Sequence, residues 1–80
     1  MDTRVATISI IVGDADKAAE INNLLHEYAG YIIGRMGLPY QKKGVNIICI
    51  AIDAPQDAIS ALSGKIGRIQ GVSVKTTYGP

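Results

Sequence analysis

Eighty residues, 48% of them hydrophobic and 19% charged, describe one ordinary globular domain rather than a disordered or fibrous chain, with a core at the small end of what folds unaided. Eight Lys and Arg against seven Asp and Glu leave a net charge of +1; beyond the pair Lys42-Lys43 there is no basic cluster, which argues against a direct nucleic-acid partner, because duplex binding neutralises phosphates with a basic face. The single cysteine, Cys49, excludes an internal disulfide, no apolar run approaches the roughly 20 residues of a membrane span, and MDTRVATIS has no targeting character, so the expected location is the cytoplasm.

The elements follow in chain order from hydrophobic period. RVATISIIV, residues 4–12, alternates as a strand, with Ala6, Ile8, Ile10 and Val12 on one face and Val5, Thr7, Ser9 and Ile11 on the other. Gly13-Asp14 breaks it, and Asp14 or Asp16 suits the positive end of the following helix. In DADKAAEINNLLHEYA the residues Ala18, Ile21, Leu24, Leu25 and Tyr28 form one helical stripe. Gly30 is expected to end that helix, and YIIGRMGL, residues 31–38, reads as a second strand, weakened by Gly34 and Gly37 and stopped by Pro39. The turn from Tyr40 to Gly44 leads into VNIICIAID, residues 45–53, whose apolar content on both faces predicts a strand buried on both sides.

Ala54-Pro55 is a fitting helix entrance, with proline at the first helical position, and Ala58, Ile59, Leu62 and Ile66 share one face of the second helix. The glycines of SGKIGRIQG, residues 63–71, with Lys65 beside Gly64, invite comparison with a phosphate cradle, but such a loop needs its glycines before a helix, not at its end. The G-x-x-x-x-G-K-[ST] spacing is also absent, since Lys65 is followed by Ile66. Gly64 and Gly67 are instead expected to let the helix approach the sheet or a neighbouring chain closely, at roughly 1 kcal/mol each of helix propensity. Gly71 opens the turn into a last strand with Val72 and Val74 on one face.

The resulting order, β-α-β-β-α-β, predicts a single α+β domain over residues 1–80 with the ferredoxin-like arrangement, two helices on one face of a four-stranded antiparallel sheet. Two helices cover one side only. The other would expose Val5, Ile11 and the third strand's second face, an apolar patch that soluble monomers seldom leave open. A dimer or tetramer closed over that face is expected; in a monomer, Thr7, Ser9, Ser73, Lys75 and Thr77 would have to keep it wet.

Arg35-Met36-Gly37-Leu38-Pro39, and Leu62-Ser63-Gly64-Lys65-Ile66-Gly67 with Gly71-Val72 after it, make the chain resemble the small regulators of the iron-only hydrogenase system. The likeness runs over nearly the whole length. It implies a ferredoxin-like domain of the kind compared with ACT domains and with the C-terminal domain of nickel-responsive regulators, acting as an effector- or protein-binding homo-oligomer. A nickel site like that of those regulators, built from several histidines and a cysteine, is excluded, since the chain has only His26 and Cys49 and no histidine stands near the cysteine. Of the ACT amino-acid turn, Asp14 matches the first part, whereas Asp16 and Lys17 replace its Pro-Gly pair.

The candidate ligand-binding residues are Arg35, Gly37, Tyr40, Gly64, Lys65 and His26. Arg35 is conspicuous in a strand, where burial would require a carboxylate or a bound anion, and an edge or interface salt bridge is the plainer expectation. His26 lies off the apolar stripe beside Asn22 and Asn23, on a polar face. Cys49 reads as a small hydrophobe. No cofactor or metal is assigned. With no nucleophile–base pair or carboxylate pair at useful spacing, the chain is read as a non-enzyme. The alternative to an effector-binding module is a purely structural oligomeric interaction module without a small-molecule ligand. Any transcriptional role would need another polypeptide to carry the DNA contact.

Overall fold

The computed structural model describes residues 2–80; Met1, the first residue of the expected domain, lies outside them. Strand β1 (Arg4–Val12) runs through a short turn, Ala15–Lys17, into helix α1 (Ala18–Glu27). A second turn, Ala29–Tyr31, leads to β2 (Ile32–Tyr40), and β3 (Val45–Ala54), α2 (Gln56–Gly67) and β4 (Val72–Tyr78) follow. The four strands form one sheet in the order β2-β3-β1-β4, each neighbouring pair antiparallel. This is the expected ferredoxin-like α+β arrangement.

Alternation sets the core. Ala6, Ile8, Ile10 and Val12 of β1 are buried to the last per cent, and Ile48, Ile50, Ile52 and Ala54 of β3 lie beside them in register. Ile21 and Leu25 of α1 and Ile59, Leu62 and Ile66 of α2 close this layer from above. Fully burying each such side chain contributes about 1.5–3 kcal/mol, so these two strand faces and two helix stripes carry most of the apolar driving force.

Several sequence expectations are corrected at the element ends. Asp14 does cap, but it caps the turn before α1, its side chain accepting from the Asp16 N–H at 3.0 Å. Gly30 sits inside the Ala29–Tyr31 turn, and β2 starts one residue later than expected. Pro39 does not stop β2, which continues to Tyr40: an edge strand uses only half its backbone groups in a ladder, so a missing N–H is tolerated there. Pro55 precedes α2 instead of opening it, its carbonyl accepting from the Ala58 and Ile59 N–H groups. Strand β3 is buried on one side only; Val45, Ile47, Cys49 and Ala51 of its second face are half-buried.

The two candidate helix glycines also part company. A Cβ on Gly67 would come to 3.2 Å from Val74 Cγ1, so here the helix end does approach the sheet, whereas one on Gly64 would meet nothing within 4 Å. Gly64 faces open space.

Candidate functional site

Two surfaces stand out, one on each side of the sheet. On the helix side, the layer stops short of β2: beyond Ile32 every residue of that strand is exposed. A trench therefore runs between α1 and β2. Directly paired residues share a face of an antiparallel sheet, and the pairs Arg35 with Ile50, Gly37 with Ile48 and Pro39 with Asn46 place the β2 members of those pairs on the trench side. Gly37 contributes no side chain, and a Cβ added there would meet nothing within 4 Å. The result is a cleft of about 290 Å³ walled by Ala18 and Asn22 of α1 and floored by Arg35, Gly37, Pro39, Asn46 and Ile48.

Arg35 marks the middle of the trench. Its Nη2 donates to Asn22 Oδ1 at 2.7 Å, so within the single chain its hydrogen-bond partner is a neutral amide. Asn22 and Arg35 also border a second hollow of about 230 Å³ that reaches Leu25, His26, Ala29 and Ile32. Of the six candidate residues, Arg35 and Gly37 thus line the first hollow and Arg35 and His26 the second, with Arg35 and Asn22 common to both.

The other three lie elsewhere. Tyr40 pairs with Val45 and borders a small hollow of about 120 Å³ with Ala15, Pro39 and Gly44. Lys65 Nζ donates to the Tyr28 hydroxyl at 3.0 Å and lies 5.1 Å from the centre of that ring. The bond to Tyr28 raises the lysine pKa above its ordinary value. This contact joins α2 to the end of α1, and Gly64 beside it lines no hollow with the trench residues. Asn22 and Asn46 were not among the sequence candidates. Asn46 could have been found, because it falls on the core-facing register of β3, in line with Ile48, Ile50 and Ile52, where a polar residue needs a reason.

The second surface is the uncovered sheet face. Val5, Ile11, Met36, Leu38 and Tyr40 are each between 43% and 54% exposed and, by the strand registers, share this face with Ile47, Cys49 and Ala51. At its centre, Gly34 opposite Ala51 leaves a hollow of about 340 Å³ bordered by Thr7, Ser9 and Cys49. Among the described residues, no three of His, Cys, Asp and Glu gather closely enough to hold a metal ion, and no helix is long and apolar enough to cross a membrane.

The model of the family described as "TM1266-like: Iron-only hydrogenase system regulator, putative" matches residues 4–76. The chain belongs to that family. Consistently, it is similar over 99% of its length, at 38% identity and a TM-score of 0.93, to the whole of the uncharacterized protein TM1266 from Thermotoga maritima. Two more distant structures share the fold alone. One is a formyltetrahydrofolate deformylase from Pseudomonas putida KT2440, 13% identical with a TM-score of 0.68, where the match spans 95% of this chain and 29% of the deformylase. The other is the de novo designed protein Foldit4, 18% identical with a TM-score of 0.57 over 99% of this chain and 100% of the design. No curated protein matches the chain. The family description names a regulator and no reaction.

Proposed function

We propose that this family member is a cytoplasmic, non-catalytic regulatory module of the iron-only hydrogenase system, ACT-like in its use of a small domain to respond to an effector or a protein partner. It works as a homo-oligomer closed over the open sheet face. The observation that carries this reading is the apolar face itself, with Val5, Ile11, Met36 and Leu38 about half exposed.

Magnitudes support self-association. The chain exposes 5124 Å², while a compact monomer of 8.5 kDa is expected to expose about 4,700 Å². The excess is what a single-layered sheet produces. A net charge of +1 puts no electrostatic barrier between copies. A hollow at Gly34 and Ala51 and the half-exposed Met36 lie on the same face, which suits an isologous contact, where one patch must be complementary to itself.

Analytical sedimentation tests this. The expected mass is two or four times 8.5 kDa, and Met36→Glu with Leu38→Glu should return a folded 8.5 kDa particle, because two carboxylates per copy would have to be desolvated in the contact. A wild type that stays a monomer while a different polypeptide occupies the face would overturn the self-association.

A further inference from the structure

We propose that the cleft between α1 and β2 is a binding site for a small carboxylate, held by the Arg35 guanidinium between the Asn22 and Asn46 amides with its short body over Gly37. The proposal deepens the effector-responsive half of the function proposed above and rests on that reading for its biological meaning.

Four observations converge on it. First, the one charged group on the cleft floor is a cation whose hydrogen-bond partner is neutral. Asn22 Oδ1 orients the guanidinium at 2.7 Å and leaves other N–H donors of its planar fork, the arrangement that matches a carboxylate by two parallel bonds. Second, Asn46 stands across the floor on the trench side of β3, paired with Pro39. Its amide offers both a donor and an acceptor for a second polar group on the ligand.

Third, the space is made by a missing side chain. A Cβ at Gly37 would touch nothing within 4 Å, so glycine is not required there for packing, and a branched side chain there would project into the cleft that Gly37 lines. Glycine weakens a strand interior, and its presence in an edge strand without a packing need fits a position kept open for an occupant. Fourth, the size and chemistry discriminate. About 290 Å³ lies just below the roughly 300–1,000 Å³ of drug-sized sites, which suits a ligand of amino-acid or dicarboxylate size. A phosphate cradle would use backbone N–H groups in a nest; the glycines with positive φ are Gly44 and Gly71, neither lines this cleft, and Pro39 on its floor has no N–H.

The test is a ¹⁵N NMR titration of the full chain with sodium acetate, L-glutamate, succinate and inorganic phosphate at constant ionic strength, with sedimentation run in parallel. At least one carboxylate is expected to give saturable shifts of the Asn22 and Asn46 side-chain amides and the Gly37 N–H. Arg35→Gln should weaken that binding about tenfold or more, the usual scale for losing a charged hydrogen-bonding group. Gly37→Val should abolish it while keeping the wild-type spectrum elsewhere, and Gly64→Ala should leave it unchanged. Absence of saturable shifts with every carboxylate, shifts that persist undiminished in Arg35→Gln and Gly37→Val, or tighter binding of phosphate than of any carboxylate would overturn the proposal. Because assembly is read separately, an oligomer that fails to bind removes this site alone, and a monomer that binds removes the assembly alone.

Discussion

Glycine positions give the sharpest predictions at the scale of single residues. Gly64 lies within α2 with open space where a side chain would go, so Gly64→Ala should raise stability by about 0.5–1 kcal/mol through helix propensity. Gly71 is the opposite case. Its φ of 80° is a left-handed conformation, and its carbonyl accepts from the Gly13 N–H at 2.8 Å, so Gly71→Ala should cost about 1–2 kcal/mol. Thermal melts measure both, at roughly 4–8 °C per kcal/mol for a domain this size; equal shifts of the same sign would contradict the assignment. Lys65 gives a prediction in pH. Its pKa is raised by the Tyr28 hydroxyl, so the charged contact contributes fully below the ordinary lysine value of 10.5 and is lost as pH rises through the raised value. Comparing wild type with Lys65→Met should therefore show a difference in melting temperature that is flat around neutrality and shrinks only in strong alkali; a difference that shrank between about pH 5 and 8, where lysine does not titrate, would contradict it.

At the scale of elements, β2 is where the sequence pattern and the structure diverge most. Strand β1 was legible because four exposed and four buried positions alternate without interruption from Val5 to Val12, and the stripes of α1 and α2 were legible from their own period. The single-faced burial of β3 was legible only through the whole fold, since Ile47, Cys49 and Ala51 look like core residues to any local pattern and the count of two covering helices is what turns them outward. Nor was the trench legible in full. Arg35 was conspicuous, but its bond to Asn22 spans 13 residues and exists because α1 stops short of the edge strand, a packing fact that neither segment encodes alone. Lys65 and Tyr28, 37 residues apart, are a pair for the same reason, which removed Lys65 and Gly64 from the trench. Cys49 offers a probe of the exposed face, since it is half-buried between Ser9 and Met36. Its reaction with a thiol reagent should be slow in wild type and at least about tenfold faster in Met36→Glu with Leu38→Glu, because a thiol must be reached by solvent to react; identical rates would show that nothing covers that face.

The whole molecule is a half-finished sandwich: a sheet with helices on one side, an apolar face on the other, and a cationic cleft at its uncovered edge. Folding needs the first of these; the proposed assembly and ligand binding would use the other two. An 80-residue chain has little surplus core with which to hold a large apolar face open to water, so assembly and stability should rise together with concentration. Sedimentation equilibrium across a wide concentration range tests this most directly. The wild-type mass should stay at two or four times 8.5 kDa and the Met36→Glu, Leu38→Glu variant should collapse to the single-chain value; a wild type that sediments as one chain at every concentration would rule out assembly over the sheet face.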